Sequence, residues 1–331
     1  MNRKRFAAPA LLAALLATAV VLTGCSAGAS AAPSETSGTL SVVATTNVWG
    51  DIAATVGGDH VTVTSLISDP NIDPHEFQAD ARDQLAIAKA NVVVKNGGGY
   101  DDFANTMLAA AGNNAAGNSA TGGSAPGNSA AGNSKRIVLD AVQISGKKAH
   151  GSAGLNEHVW YDFPTVEKVA TQLSSAFAKL DPKNATVYVQ NAGALNAKIA
   201  DLVTREGALK AKYSGQGAAI TEPVPLYLLN SIGLVDKTPQ KFSEAVENNT
   251  DVAPSVLNDT LSLFSEHAVR LLVYNEQTTG AQTDAVLAAA KSADVPVVPV
   301  AETMPKGDTF LSWMSGNLAA VAAALNTPSS K

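Results

Sequence analysis

From Leu40 onward, short runs of β-branched and apolar residues alternate with stretches whose apolar positions recur every three or four residues. A run of four to seven such residues followed by a helical period is the pattern of parallel α/β units, in which each strand is buried and each helix crosses back over the sheet. In the first half the pattern predicts strands at "LSVVAT", "VTVTSLI", "NVVVKN" and "RIVLD", with helices near 48–57, 80–90 and 100–110. After "WYDFP" the period stays helical through "TVEKVATQLSSAFAKL" and then through "KNATVYVQNAGALNAKIADLVTREGALKAKY", two long helices in series separated by Asp181-Pro182. The second half repeats the grammar of the first: "GAAIT", a helix from about Pro225, another after Pro254, "VRLLVYN", a helix near 281–292, "VPVVPV" and a last helix near 308–325. The fold class expected is α/β, with two Rossmann-like lobes of parallel strands, at 40–181 and 213–331, joined by a long rigid helix at 182–212.

Two stretches fall outside that grammar. Residues 1–24 open with Arg3, Lys4 and Arg5, continue with an apolar run from Phe6 to about Leu22, and end in small residues, the arrangement of an export signal. Leu22-Thr23-Gly24-Cys25 resembles the lipobox of bacterial lipoproteins, and the resemblance implies that Cys25 becomes the lipid-bearing first residue of the mature chain. Cys25 is the single cysteine, so no intrachain disulfide competes for its thiol. Residues 25–39 then read as a tether that holds the lobes off a membrane surface. The other stretch, "AGNNAAGNSATGGSAPGNSAAGNS" at 111–134, has no large apolar side chain and reads as a solvated insert in the first lobe.

The whole chain carries a formal net charge of −6, and removal of residues 1–24 takes it to about −9, since three basic and no acidic side chains leave. An exported acidic protein is a poor partner for nucleic acid and a fair one for cations. Four side chains share the address such a ligand needs. His75 lies in the loop beyond "VTVTSLI", His158 in "NEHVWYD" after a turn-rich stretch, Glu222 directly after "GAAIT", and Glu302 directly after "VPVVPVA". In parallel α/β lobes the carboxyl ends of the strands face the cleft, so all four point toward one gap. Two imidazoles and two carboxylates suit a divalent transition metal: neutral nitrogens donate, and anionic oxygens offset its charge.

The remaining candidates are weaker. His150 sits beside Lys147 and Lys148, whose charge opposes a cation, His60 reads as a surface residue entering a strand, and His267 as a helix-end residue. Asn275 and Glu276, after "VRLLVY", share the cleft address and could orient ligands. Trp49, Trp160 and Trp313 read as packing residues. An exported metallohydrolase using the same four side chains is the alternative function. It would need an open coordination position, and neither a His-Glu-x-x-His helix nor a Gly-x-Ser-x-Gly turn is present in the sequence.

The chain after Leu40 resembles the solute-binding lipoproteins of bacterial ABC importers for zinc, manganese and iron, the cluster A-I or TroA-like family. "DPHEF" is similar to the region of the family's first ligand and points to His75; "NEHVWYDFPTVEKVA" is similar to the second and points to His158. "ITEPVPLYLLNSIGL" places Glu222 at the third ligand position, and "PVAETMPKGDTFLSWM" places Glu302 where the family commonly has aspartate. The resemblance implies a class III solute-binding protein, a monomer that takes one divalent ion as cargo, manganese or zinc with ferrous iron as a further option. Its partners would be the membrane permease of an importer and, through the lipid, the membrane itself. Small lobe movements are expected, and the histidine-rich loop of some family members has no counterpart in the insert.

Overall fold

Leu40–Thr46 (β1) is buried along almost its whole length, while Val61–Ile67 (β2) alternates between exposed and half-buried positions. That difference sets the sheet: β1 must be interior and β2 an edge. In the computed structural model of the protein, which describes residues 39–69, 72, 74–112, 136–149 and 154–328, the first four strands pair in the order β2-β1-β3-β4, with β3 at Val92–Lys95 and β4 at Ile137–Asp140. All pairs are parallel, with Val42 opposite both Val63 on β2 and Val92 on β3. Helices Asn47–Gly57 (α1), Ala81–Lys89 (α2) and Asp102–Ala110 (α3) make the crossings, and Ala141–Ser145 (α4) follows β4. The export signal expected at 1–24, Cys25, nearly all of the expected tether, the insert beyond Gly112 and His150 lie outside the described residues.

The connection runs through Phe163–Leu180 (α5) and Ala185–Tyr213 (α6). Asp162 caps the first, accepting from the Thr165 amide, and Pro164 sits in its opening turn where a missing N–H costs nothing. Asp181 forms the corner, its carboxylate accepting from Asn184 Nδ2 at 2.6 Å and from the Tyr188 hydroxyl at 2.7 Å. On α6 the buried residues Tyr188, Ala192, Leu195, Ile199, Leu202, Glu206 and Tyr213 fall at steps of three, four and seven, one unbroken stripe. At a rise of about 1.5 Å per residue this 29-residue helix is roughly 44 Å long. One member of the stripe is a carboxylic acid: Glu206 accepts from the Ser231 hydroxyl, and burial pushes its pKa up to about 7.

The second sheet repeats the first as β6-β5-β7-β8, again all parallel, with β5 at Gly217–Ile220, β6 at Val235–Asp236, β7 at Leu272–Asn275 and β8 at Val297–Val300. β5 and β7 are fully buried, and Pro299 faces outward on the edge strand β8, where no ladder donor is missed. Around it lie Leu226–Ser231 (α7), Gln240–Glu247 (α8), Pro254–Ser265 (α9), Ala281–Ser292 (α10) and Phe310–Asn326 (α11). The expected α/β class with two parallel sheets and a long helix is what the structure has. Neither β6, two residues long, nor α8 stood out in the hydrophobic pattern, because α8 buries just Phe242, Ser243 and Val246 in an otherwise polar segment.

The two sheets share one core. A single cluster of buried apolar side chains runs from Leu40 and Val42 through Trp160, Phe163 and Ile199 to Ile220, Val300, Trp313 and Leu325. All three tryptophans are buried, as packing residues should be. Polar contacts reinforce the seam: Asn47 exchanges two hydrogen bonds with the backbone of Met304, at 2.7 and 3.0 Å, Asp51 accepts from the Phe310 amide at 2.8 Å, and the Tyr161 hydroxyl donates to the Ala301 carbonyl at 2.9 Å. Wide opening would expose this shared apolar surface, at about 25 cal/mol per Å². Small-angle scattering of metal-free and metal-loaded protein is therefore expected to give the same radius of gyration within error; a large difference would show that the seam opens.

Candidate metal centre

Each loop that approaches the cleft is held by polar contacts of its own. Beyond β3, the Asn96 and Gly97 amides both donate to the Asp101 carboxylate, at 2.6 and 2.8 Å, and Gly97 turns with φ +81°, a conformation in which any Cβ would strike Asp140. Asn96 then donates to the Glu157 carbonyl at 2.9 Å while accepting from the Trp49 indole at 3.2 Å. The turn before His158 is thereby pinned to the sheet. His75 sits in a single 3-10 turn, Pro74–Glu76, beyond β2.

Three of the four side chains singled out from the sequence meet. His75 Nε2 lies 3.6 Å from Glu302 Oε2, and His158 Nε2 is also 3.6 Å from that oxygen. His158 and Glu302 are buried, whereas the His75 side chain keeps 27% of its surface exposed. Glu222 stands one hydrogen bond further back. Its carboxylate accepts from Asn275 Nδ2 at 2.5 Å, and the same amide donates to Glu302 Oε1 at 3.0 Å. Of the residues considered as orienting groups, Asn275 does orient carboxylates, while Glu276 is exposed. His60 packs edge-on against Tyr188, and His267, just beyond α9, is exposed.

A residue the sequence reading passed over completes the group. Glu247, the last residue of α8, places Oε1 3.5 Å from His75 Nε2 and 3.4 Å from His158 Nε2. Among the described residues two sets of ligand atoms fall within 4.8 Å of one another: His75, His158 and Glu302, and His75, Glu157 and Glu247. The four imidazole–carboxylate separations of 3.4 to 3.6 Å match the edge of a tetrahedron with bonds of about 2.1 Å, which is roughly 3.4 Å. His158 Nε2, Glu302 Oε2 and Glu247 Oε2 are all buried without a hydrogen-bond partner. Such atoms are costly to leave bare, and an ion among them would satisfy them.

His158 is aimed by Asn156. That amide donates to the Pro223 carbonyl at 2.9 Å, which turns its oxygen toward His158, where it accepts from the backbone N–H at 3.0 Å and meets Nδ1 at 2.8 Å. Nδ1 therefore carries the proton, and Nε2 faces the carboxylates with its lone pair available once deprotonated. Without a cation, the charges balance by protonation. For His75 burial disfavours the imidazolium, but the hydrogen bond to Glu247 and the charges of Glu302 and Glu247 outweigh it and raise the pKa to about 9. His158 rises to about 9 in the same way, burial opposing and the charge of Glu247 and the contact with Glu302 prevailing. Burial would raise Glu302, yet the contact with His158 and its charge hold it below the ordinary range. Glu222, buried and facing Glu302 and Glu247, rises to about 8.

A histidine whose folded pKa is raised stabilises the fold fully below its unfolded value of 6.5 and loses that contribution as pH climbs through about 9. Metal-free protein is accordingly expected to lose stability between pH 6.5 and 9, and metal-loaded protein to lack that decline, as followed by thermal melts with chelator or metal. Both imidazoles must also shed a proton to bind an ion. Calorimetry at pH 7 in buffers of differing ionisation enthalpy should then report release of about two protons, and affinity that rises with pH.

A family profile described as zinc-uptake complex component A, periplasmic, matches residues 42–324. The metal ABC transporter substrate-binding lipoprotein FimA of Streptococcus parasanguinis is 22% identical over 324 residues, covering 96% of this chain and 98% of its own. The manganese-binding lipoprotein MntA of Bacillus subtilis is 27% identical over 183 residues, 55% of this chain and 53% of its own length. Among solved structures, that of the periplasmic zinc-binding protein TroA from Treponema pallidum superposes with a TM-score of 0.69 at 16% identity, covering 88% of this chain and all of that one. With the fold, the cleft and a profile that spans most of the chain in agreement, this protein belongs to the zinc-uptake complex component A family of periplasmic proteins.

Proposed function

We propose that the protein is an exported, lipid-anchored receptor that takes one divalent transition ion, manganese or zinc, into the cleft and delivers it to the permease of an ABC importer. The observation that carries this reading is the convergence of His75, His158 and Glu302, whose ligand atoms lie within 4.8 Å of one another, with His158 Nε2 and Glu302 Oε2 buried and without a hydrogen-bond partner. The family membership and the names of the relatives support it. Two imidazoles with carboxylate oxygens accept either cargo, and intrinsic affinity favours zinc over manganese.

Elemental analysis of protein purified without added metal should find about one transition ion per chain, and chelated protein should rebind manganese and zinc with one-to-one stoichiometry. His75→Ala, at a partly exposed position, should fold normally and lose affinity by more than about a hundredfold, beyond the usual cost of disturbing a residue that only orients a ligand. Unchanged affinity would remove His75 from the site. The anchor rests on Cys25 and has its own test. Wild-type protein expressed with its leader should partition into the detergent phase of a membrane extract, and Cys25→Ser should shift it to the aqueous phase.

A further inference from the structure

We infer that Glu247 at the end of α8 is a direct ligand of the cargo ion, and that Glu222 at the end of β5 stays off it as a supporting group. The inference rests on the receptor reading above and deepens it. Glu247 Oε1 is as close to both imidazole nitrogens, at 3.5 and 3.4 Å, as Glu302 Oε2 is at 3.6 Å. Its second oxygen, Oε2, is buried with no hydrogen-bond partner, so its lone pairs are available to an ion. The Glu222 carboxylate, by contrast, is engaged by Asn275 and enters neither of the two ligand sets found among the described residues.

The position of Glu247 on its helix points the same way. A carboxylate in the last turn of α8 faces the negative end of the helix dipole, an unfavourable place for an anion and a favourable one for a cation. Both contributions to the local potential attract the ion, whereas a carboxylate without one would sit there at a cost. The helix end is also tied to the segment that brings His75. Two residues past Glu247, Asn249 takes φ +50° and donates through Nδ2 to Glu76 Oε1 at 3.0 Å, next to His75. The two more accessible ligands thus belong to segments that hold each other, while the buried pair, His158 and Glu302, belongs to the walls.

The test compares Glu247→Cys with Glu222→Cys in the full chain, each freed of metal and loaded with Co2+. A thiolate bound to cobalt adds a near-ultraviolet charge-transfer band, and the wild-type chain, which also contains Cys25, provides the baseline. The band is expected in Glu247→Cys and not in Glu222→Cys. Its appearance in Glu222→Cys, or its absence from a Glu247→Cys protein that still binds cobalt, overturns the inference. Glu247→Gln and Glu222→Gln, titrated with manganese and zinc, give a second readout that does not depend on the cysteine variants folding. Glu247→Gln should lose at least tenfold more affinity than Glu222→Gln, and the reverse order overturns the assignment. Wild-type protein that binds none of the three metals would instead refute the receptor reading itself.

Discussion

Two imidazole nitrogens, each 3.4 to 3.6 Å from the same two carboxylate oxygens, with His158 and Glu302 buried, cannot all be bare. Two anions at that depth repel one another and lose hydration, and the arrangement is tolerable when positive charge lies between them. In the metal-free protein that charge comes from protons on His75 and His158, which accounts for pKa values near 9 on residues whose burial acts in the opposite direction. A divalent ion at this point would supply the same charge and displace both protons. Capture is then an exchange in which the protein's charge pattern changes little, so a rigid body can hold the site in either state.

Rigidity in turn comes from packing. The core that joins the two sheets, the buried stripe of α6 and the cross-seam bonds of Asn47, Asp51 and Tyr161 leave the cleft walls little freedom. Each wall contributes its buried donor group through a braced side chain. Asn156 fixes the tautomer of His158, and Asn275 fixes Glu302 while occupying Glu222. Gln277 adds to this bracing by accepting from the backbone of Glu302 and Thr303 at 2.5 and 3.2 Å. The donor groups are thereby held in place by protein contacts alone, and preorganisation of that kind lowers the ordering cost of binding.

Much of this could be read along the chain. The period-two and period-three-to-four patterns located every strand of both sheets except β6, and the long helices α5 and α6 announced themselves by unbroken apolar spacing. Strand ends told where the cleft would be, and so His75, His158 and Glu302 could be named without coordinates. Glu247 could not be found by that rule, because it lies at the end of a short polar helix between β6 and β7 and not at the end of a strand. The only local sign was the pair Phe242 and Val246, one helical turn apart, in "PQKFSEAVENN".

Glu222 shows the complementary limit. Its address after β5 is at a strand end like the others, yet its carboxylate accepts from an asparagine 53 residues away, a contact that no local spacing shows. Local spacing determines which segments become strands and helices, since that follows from side-chain periodicity against a nearby core. It also determines which loops face the cleft, because parallel strands all end on one side. The pairing of Asn275 with Glu222 and Glu302, the reach of Glu247 and the raised pKa values of the two imidazoles arise from through-space contacts between distant residues. Hydrogen bonding and Coulomb energy act over a few ångströms, and only the packed fold assigns those distances.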